Sequence, residues 1–219
     1  MLPERLRVLY LHGFASSAGS QKAAFFSAKL RKLGFPVIIP DLDERNFERL
    51  TITAQLQLIE RIVEREPIIL IGSSLGGYLA SLYASAHSEA SKVILLAPAF
   101  KFYQLWADEL GPERLSAWRK AGSMPIFHYG EGRMTPIGYG LMDDAASYPP
   151  FPDFHQPALI FHGNHDPVVP VTYSAAFVEA HPNARLVRLD SGHELTDVLD
   201  PVWEDSRDFL LSGASPFEC

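Results

Sequence analysis

Short apolar runs alternate along the chain with stretches whose apolar positions recur every third or fourth residue. The runs Arg7–Leu11, Pro36–Pro40, Ile68–Ile71, Lys92–Ala97, Ala158–Phe161 and Arg185–Leu189 have the length of strands. Most are continuously apolar, as strands covered on both faces of a sheet must be. Between them, Ala23, Phe26, Leu30 and Leu33 mark one helical face, closed by Gly34. Ile52, Leu56, Ile59 and Val63 mark a second. Leu75, Leu79, Leu82 and Ala86 mark a third, in which Gly76, Gly77, Ala80 and Ala84 allow close approach to a sheet. Pro170 predicts the start of a helix carrying Tyr173, Ala176, Phe177 and Ala180, and Asp200-Pro201 predicts the N-cap and first residue of the last helix. Strands alternating with helices predict an α/β fold with a mostly parallel sheet of about six strands and helices on both faces.

The alternation fails over Ala99–Pro150. These 52 residues hold nine aromatics, Phe100, Phe102, Tyr103, Trp106, Trp118, Phe127, Tyr129, Tyr139 and Tyr148, yet show no βα unit. A structureless loop of that length does not suit a compact domain, so the segment predicts an inserted cap with one or two helices and a hairpin near Gly130–Gly132. The chain of 219 residues then reads as one domain with this insertion, long enough to bury its own core.

Charge and cysteine content narrow the classes. With 19 basic against 26 acidic residues the net charge is −7, and no Lys/Arg run occurs, which argues against nucleic acid and anionic membrane as partners. The single cysteine, Cys219, allows neither an intrachain disulfide nor a cysteine metal cluster. The longest apolar stretch, Val93–Phe100, has eight residues and includes Pro98, far short of the ~20 a membrane span needs. Only Val8–Leu11 is apolar near the start, and no N-x-Ser/Thr sequon occurs, so the expectation is a cytoplasmic protein.

Gly72-Ser73-Ser74-Leu75-Gly76 is the one G-x-S-x-G match, at a predicted strand-to-helix junction. A sharp turn there lifts the Ser74 hydroxyl clear of the backbone, and small residues two positions to either side let neighbouring chain pass. The plain alternative is a glycine turn with a helix-capping serine. A serine nucleophile needs a base, and the base an orienting acid. Asp166 and His193 each follow a later strand, in the order nucleophile, acid, histidine. His87, His155 and His181 fall in helix, linker or helix-end positions and read as surface residues, while His12 and His162 read as loop braces. His162, His165 and Asp166 lack a second cluster to complete a metal site, and Asp143 and Asp144 precede the last two strands. The amides of Phe14 and Leu75 stand where an oxyanion would need donors.

Taken together, His12-Gly13-Phe14, Gly72-Ser73-Ser74-Leu75-Gly76-Gly77-Tyr78, His162-Gly163 with Asp166, and Gly192-His193 resemble an α/β-hydrolase. Within that superfamily, Tyr10-Leu11-His12-Gly13-Phe14-Ala15-Ser16-Ser17 and the run through Tyr78 are similar to the small bacterial YqiA-like esterases. The resemblance implies Ser74, Asp166 and His193 as a triad, and the strand order 2-1-3-4-5-6. The aromatic insertion departs from it, so substrate preference is not carried over. The expected reaction is hydrolysis of a small, uncharged, short- to medium-chain ester, without cofactor or metal. His128, Trp106 and Tyr139 of the cap are the expected substrate contacts, and Met124, Met134 and Met142 the expected roof. The alternatives are another serine hydrolase of this fold, acting on thioesters, lactones, carbon–carbon bonds or peptides, and a non-catalytic ligand-binding protein.

Overall fold

The computed structural model describes residues 6–212, so Cys219 lies outside the described residues. Its elements are β1 (Arg7–Leu11), α1 (Gln21–Lys32), β2 (Val37–Ile38), α2 (Ile52–Val63), β3 (Ile68–Ser73), α3 (Leu75–Ala86), β4 (Ala90–Leu96), α4 (Phe102–Ala121), β5 (Ser123–His128), β6 (Arg133–Gly138), α5 (Gly140–Ala145), β7 (Ala158–Gly163), α6 (Val171–Ala180), β8 (Ala184–Leu189) and α7 (Leu199–Leu211). Six strands form one sheet in the order β2-β1-β3-β4-β7-β8, every neighbouring pair parallel, which is 2-1-3-4-5-6 once the cap hairpin β5–β6 is set aside.

Alternation of side chains along each strand divides the core into two layers. Val8 and Tyr10 of β1, with Ile69, Ile71, Ile94 and Leu96, pack against Phe26 and Leu30 of α1 and Val202, Trp203 and Phe209 of α7. Leu9 and Leu11, with Leu70, Val93 and Leu95, pack against Ile52, Ile59 and Val63 of α2 and Leu79 and Leu82 of α3. Strand β2 is shorter than the apolar run Pro36–Pro40 suggests, because it is an edge strand whose two bounding prolines have no N–H to donate. Helix α7 begins at Leu199 with Val198 as N-cap, so Asp200 and Pro201 lie inside its first turn, where a missing N–H costs nothing. No helix among the described residues is long and apolar enough to cross a membrane.

The inserted segment is ordered. Helix α4 is two helical pieces joined at a break, Gly111 (φ 68°, ψ 167°), after which Pro112 starts the chain helical again. Strands β5 and β6 pair antiparallel from Ser123↔Gly138 to His128↔Arg133. Trp118 anchors this layer: its indole Nε1 donates to the Ile137 carbonyl at 3.0 Å, and its ring packs on Trp106 and Tyr139 at 5.7 and 5.3 Å. Asp144 ties the segment to the core by accepting from the Thr53 N–H at 2.9 Å and its hydroxyl at 2.6 Å, at the start of α2.

Candidate active site

The C-terminal end of the sheet gathers the chemistry. Strand β3 ends at Ser73 and α3 starts at Leu75, so Ser74 alone makes the turn, with φ 52° and ψ −117°. That conformation is strained for a residue with a side chain. Glycine is obligatory on both sides, because a Cβ at Gly72 would overlap the Gly76 carbonyl and one at Gly76 the Leu11 carbonyl.

His193 stands on the loop after β8, held by the Ser191 hydroxyl donating to Asp197 Oδ1 at 2.6 Å and by the buried Leu195. Its Nε2 lies 3.0 Å from Ser74 Oγ and its Nδ1 2.7 Å from Asp166 Oδ2. Asp166 sits on the loop after β7, its side chain 1% exposed. Oδ1 accepts from the N–H groups of Val168 and Val169, both at 2.8 Å. Burial alone would raise this carboxyl, but hydrogen bonds from His162, His193 and the Val169 N–H overcome it and hold the group well below the usual carboxylate range. With a carboxylate facing Nδ1, that nitrogen carries the proton and Nε2 is free to accept from the Ser74 hydroxyl.

Ser74 opens onto a cavity of about 650 Å³ lined mainly by Phe14, Leu75, Phe102, Leu105, Trp106, Val168 and Tyr173, with Asp108 and Glu109 as its carboxylates. The residues from α4 recur at helical spacing, which turns one face of its first half toward Ser74. Phe14 and Leu75 both line the same cavity, and among the described residues neither backbone amide donates to a backbone carbonyl.

Of the three expected cap contacts, the structure brings only Trp106 to this cavity. His128 is buried elsewhere, its Nε2 3.3 Å from Asp43 Oδ2 and its ring edge-on to Phe47 at 4.7 Å. Alternation along β5 explains this, since Phe127 points out to solvent and His128 therefore points inward toward the loop after β2. Tyr139 is packed on Trp118 and under Arg119. The three methionines form no roof: Met142 is fully buried in the main core, in one cluster with residues of the sheet, α2 and α3, Met134 is exposed, and Met124 packs against the core beside Ile137. Among the rival acids, Asp143 pairs with Arg119 at 2.8 Å on the surface and Asp144 caps α2. His165 faces Asp190 at 2.9 Å, far more exposed than Asp166.

Two further residues stand near the site: Lys22, which nothing in the sequence pattern singles out, and His162, whose position in the sequence reads as a loop brace. Lys22 of α1 is buried beside His193's neighbour, its ammonium 3.2 Å from Glu194 Oε2. Burial lowers its proton affinity, and Glu194 partly restores it. His162 faces the second oxygen of Asp166 at 3.2 Å.

A parallel sheet in this order, with a strained serine after its third strand and a histidine and an acid after its last two, defines the α/β-hydrolase fold. Solved structures share it. An Agrobacterium vitis S4 protein is similar over 93% of this chain and 87% of its own, at 24% identity and a TM-score of 0.81. Est1E from Butyrivibrio proteoclasticus, with ferulic acid bound, is similar over 96% and 90% at 21% identity and 0.79. Mouse alpha/beta hydrolase domain-containing protein 10 is similar over 95% and 91% at 20% identity and 0.77. No curated protein matches the chain. The chain belongs to the uncharacterised protein family UPF0227, whose profile matches residues 7–207.

Proposed function

We propose that the chain is a serine carboxylesterase acting on small, uncharged esters of short to medium acyl length, with Ser74, His193 and Asp166 as its triad and Phe14 and Leu75 as its oxyanion hole. The observation that carries this reading is the continuous series Ser74 Oγ, His193 Nε2, His193 Nδ1 and Asp166 Oδ2 at 3.0 and 2.7 Å, placed on the wall of an apolar cavity. Ser74 Oγ attacks the ester carbonyl as His193 Nε2 takes its proton, and Asp166 stabilises the imidazolium. The carbonyl oxygen, now negative, is met by the Phe14 and Leu75 amides. Collapse breaks the bond to the alcohol, which leaves with the proton from His193. Water then repeats the sequence on the acyl-enzyme, releasing the acid and restoring Ser74. The scheme calls for no cofactor.

Apolar walls favour an apolar acyl group, and two carboxylates among the lining disfavour an anionic one. The same reading takes the cytoplasm as the working compartment, supported by the single cysteine of the sequence. The test is a panel of acetyl, butyryl, octanoyl and palmitoyl esters of one alcohol, with thioester and lactone counterparts, after labelling with a fluorophosphonate. One label on Ser74 and a maximum of kcat/KM below palmitoyl are expected. A thioester or lactone maximum would move the protein to another serine hydrolase class. Ligand binding without labelling or turnover would make it a binding protein.

A further inference from the structure

We infer that His162 is a positioning residue for Asp166, a second imidazole that fixes the carboxylate oxygen used by His193. This rests on the triad reading above. His162 is the penultimate residue of β7, with no exposed surface and no part in the cavity lining. Its Nδ1 is 2.8 Å from the hydroxyl of Ser174 on α6. Its Nε2 is 2.9 Å from the Val169 carbonyl and 3.2 Å from Asp166 Oδ2.

A carbonyl and a carboxylate can only accept, so Nε2 carries a proton that both oxygens share. Nδ1 then accepts from the Ser174 hydroxyl in the neutral ring. The result is one series of five side chains, Ser174, His162, Asp166, His193 and Ser74, running from α6 to the nucleophile. No proton needs to leave His162 during turnover. Its work is geometric and electrostatic. Oδ1 of Asp166 is fixed by two backbone amides, and Oδ2 would otherwise be held by the very imidazole that it is meant to orient. The second donor also draws charge from Oδ2, which weakens its grip on a protonated His193 and keeps that ring ready to accept.

A mere brace of the turn to Val169 would change stability alone. The triad role predicts a change in pH dependence. Besides His162, the charged and titratable groups around the Asp166–His193 pair include Lys22 of α1, Glu194 beside His193, Asp197 on the same loop, the cavity carboxylates Asp108 and Glu109, and the buried Tyr10 of β1. Variants at position 162 leave all of them in place.

The experiment compares His162→Leu with His162→Gln, whose amide N–H can replace the lost donor, using a neutral butyryl ester. His162→Leu is expected to lower kcat by roughly tenfold or more with little change in KM. It is also expected to move the acid limb of kcat/KM up by about half a pH unit. His162→Gln should recover most of both. A folded His162→Leu protein with unmoved kcat and unmoved limb would overturn the inference, as would equal losses in both variants with the limb unmoved. Nitrogen-15 NMR of histidine-labelled wild type needs no substitution: protonated Nε2 at position 162 is expected, and a bare Nε2 would overturn the inference. If the wild type hydrolyses no ester, the functional proposal fails, and the nitrogen-15 titration of His193 still decides the role of His162: His162→Leu is expected to raise its midpoint by about half a pH unit, and an unmoved midpoint would overturn the inference.

Discussion

The α-carbon of Gly76 lies against the carbonyl oxygen of Leu11, so close that a Cβ at that position would overlap it and come within 2.6 Å of the His12 carbonyl oxygen. The helix that offers the Leu75 amide and the loop that offers the Phe14 amide therefore meet backbone to backbone. Their separation is set by main-chain radii alone. Gly76→Ala should cost about 1–3 kcal/mol of stability or more, and lower ester turnover at least roughly tenfold by spreading the two amides. Urea unfolding and butyryl-ester kinetics on the same preparation check both. Wild-type values would show that the contact yields easily.

Strain at Ser74 makes a prediction that runs against intuition. Its φ of 52° belongs to glycine's territory, and relieving it is worth about 1–3 kcal/mol. Ser74→Gly should therefore melt at a higher temperature than Ser74→Ala. Both should lose at least about 10³ in kcat. Equal melting temperatures would leave the turn unstrained.

The depressed proton affinity of Asp166 links the site to acid stability. A carboxylate that holds its proton more weakly folded than unfolded stabilises the fold fully above its unfolded value of about 4, and that contribution is lost as pH falls through the folded value. Asp166→Asn should flatten the acid side of the stability–pH curve, and should lower kcat near neutral pH by roughly 10⁴-fold. Unfolding free energies measured from neutrality into acid decide the first part. An unchanged slope would place the acid sensitivity elsewhere.

Cap residues should separate into two groups. Trp106 lines the cavity and meets the Phe14 ring edge-on at 5.1 Å, so Trp106→Ala should lower kcat/KM by roughly tenfold. His128→Ala and Asp144→Ala should each cost about 1–2 kcal/mol of stability, the first by stranding the loop around Asp43 and the second by uncapping α2. Neither should change kcat/KM of the folded protein more than about threefold. A collapse of activity in folded His128→Ala would bring that residue back to the substrate.

The sheet is readable because its strands are apolar on both faces, so Val8 and Leu9 alike must be covered whichever way each points. Ser74, Asp166 and His193 can be proposed together because each follows a strand, and parallel strands deliver their following loops to one edge. The cap offers no such rule. Its aromatics show that something is buried there, yet Trp106 and Trp118 look alike in sequence and only one reaches the cavity. The role of His162 is hidden for another reason. Its position fits a loop brace, and the proximity of Asp166 Oδ2 arises from the bend of the chain between residues 163 and 169.

The break at Gly111–Pro112 has a consequence for how this fold can diversify. Residues 102–109 of α4 furnish one wall of the cavity, whereas Trp118, beyond the break, fastens the hairpin. A change of tilt before Gly111 is not transmitted along a rigid rod to Trp118, and the wall is coupled to the fastening through the Trp106–Trp118 ring contact at 5.7 Å. The joint thus lets the other wall positions of α4 vary around a fixed pin, the Trp106–Trp118 pair.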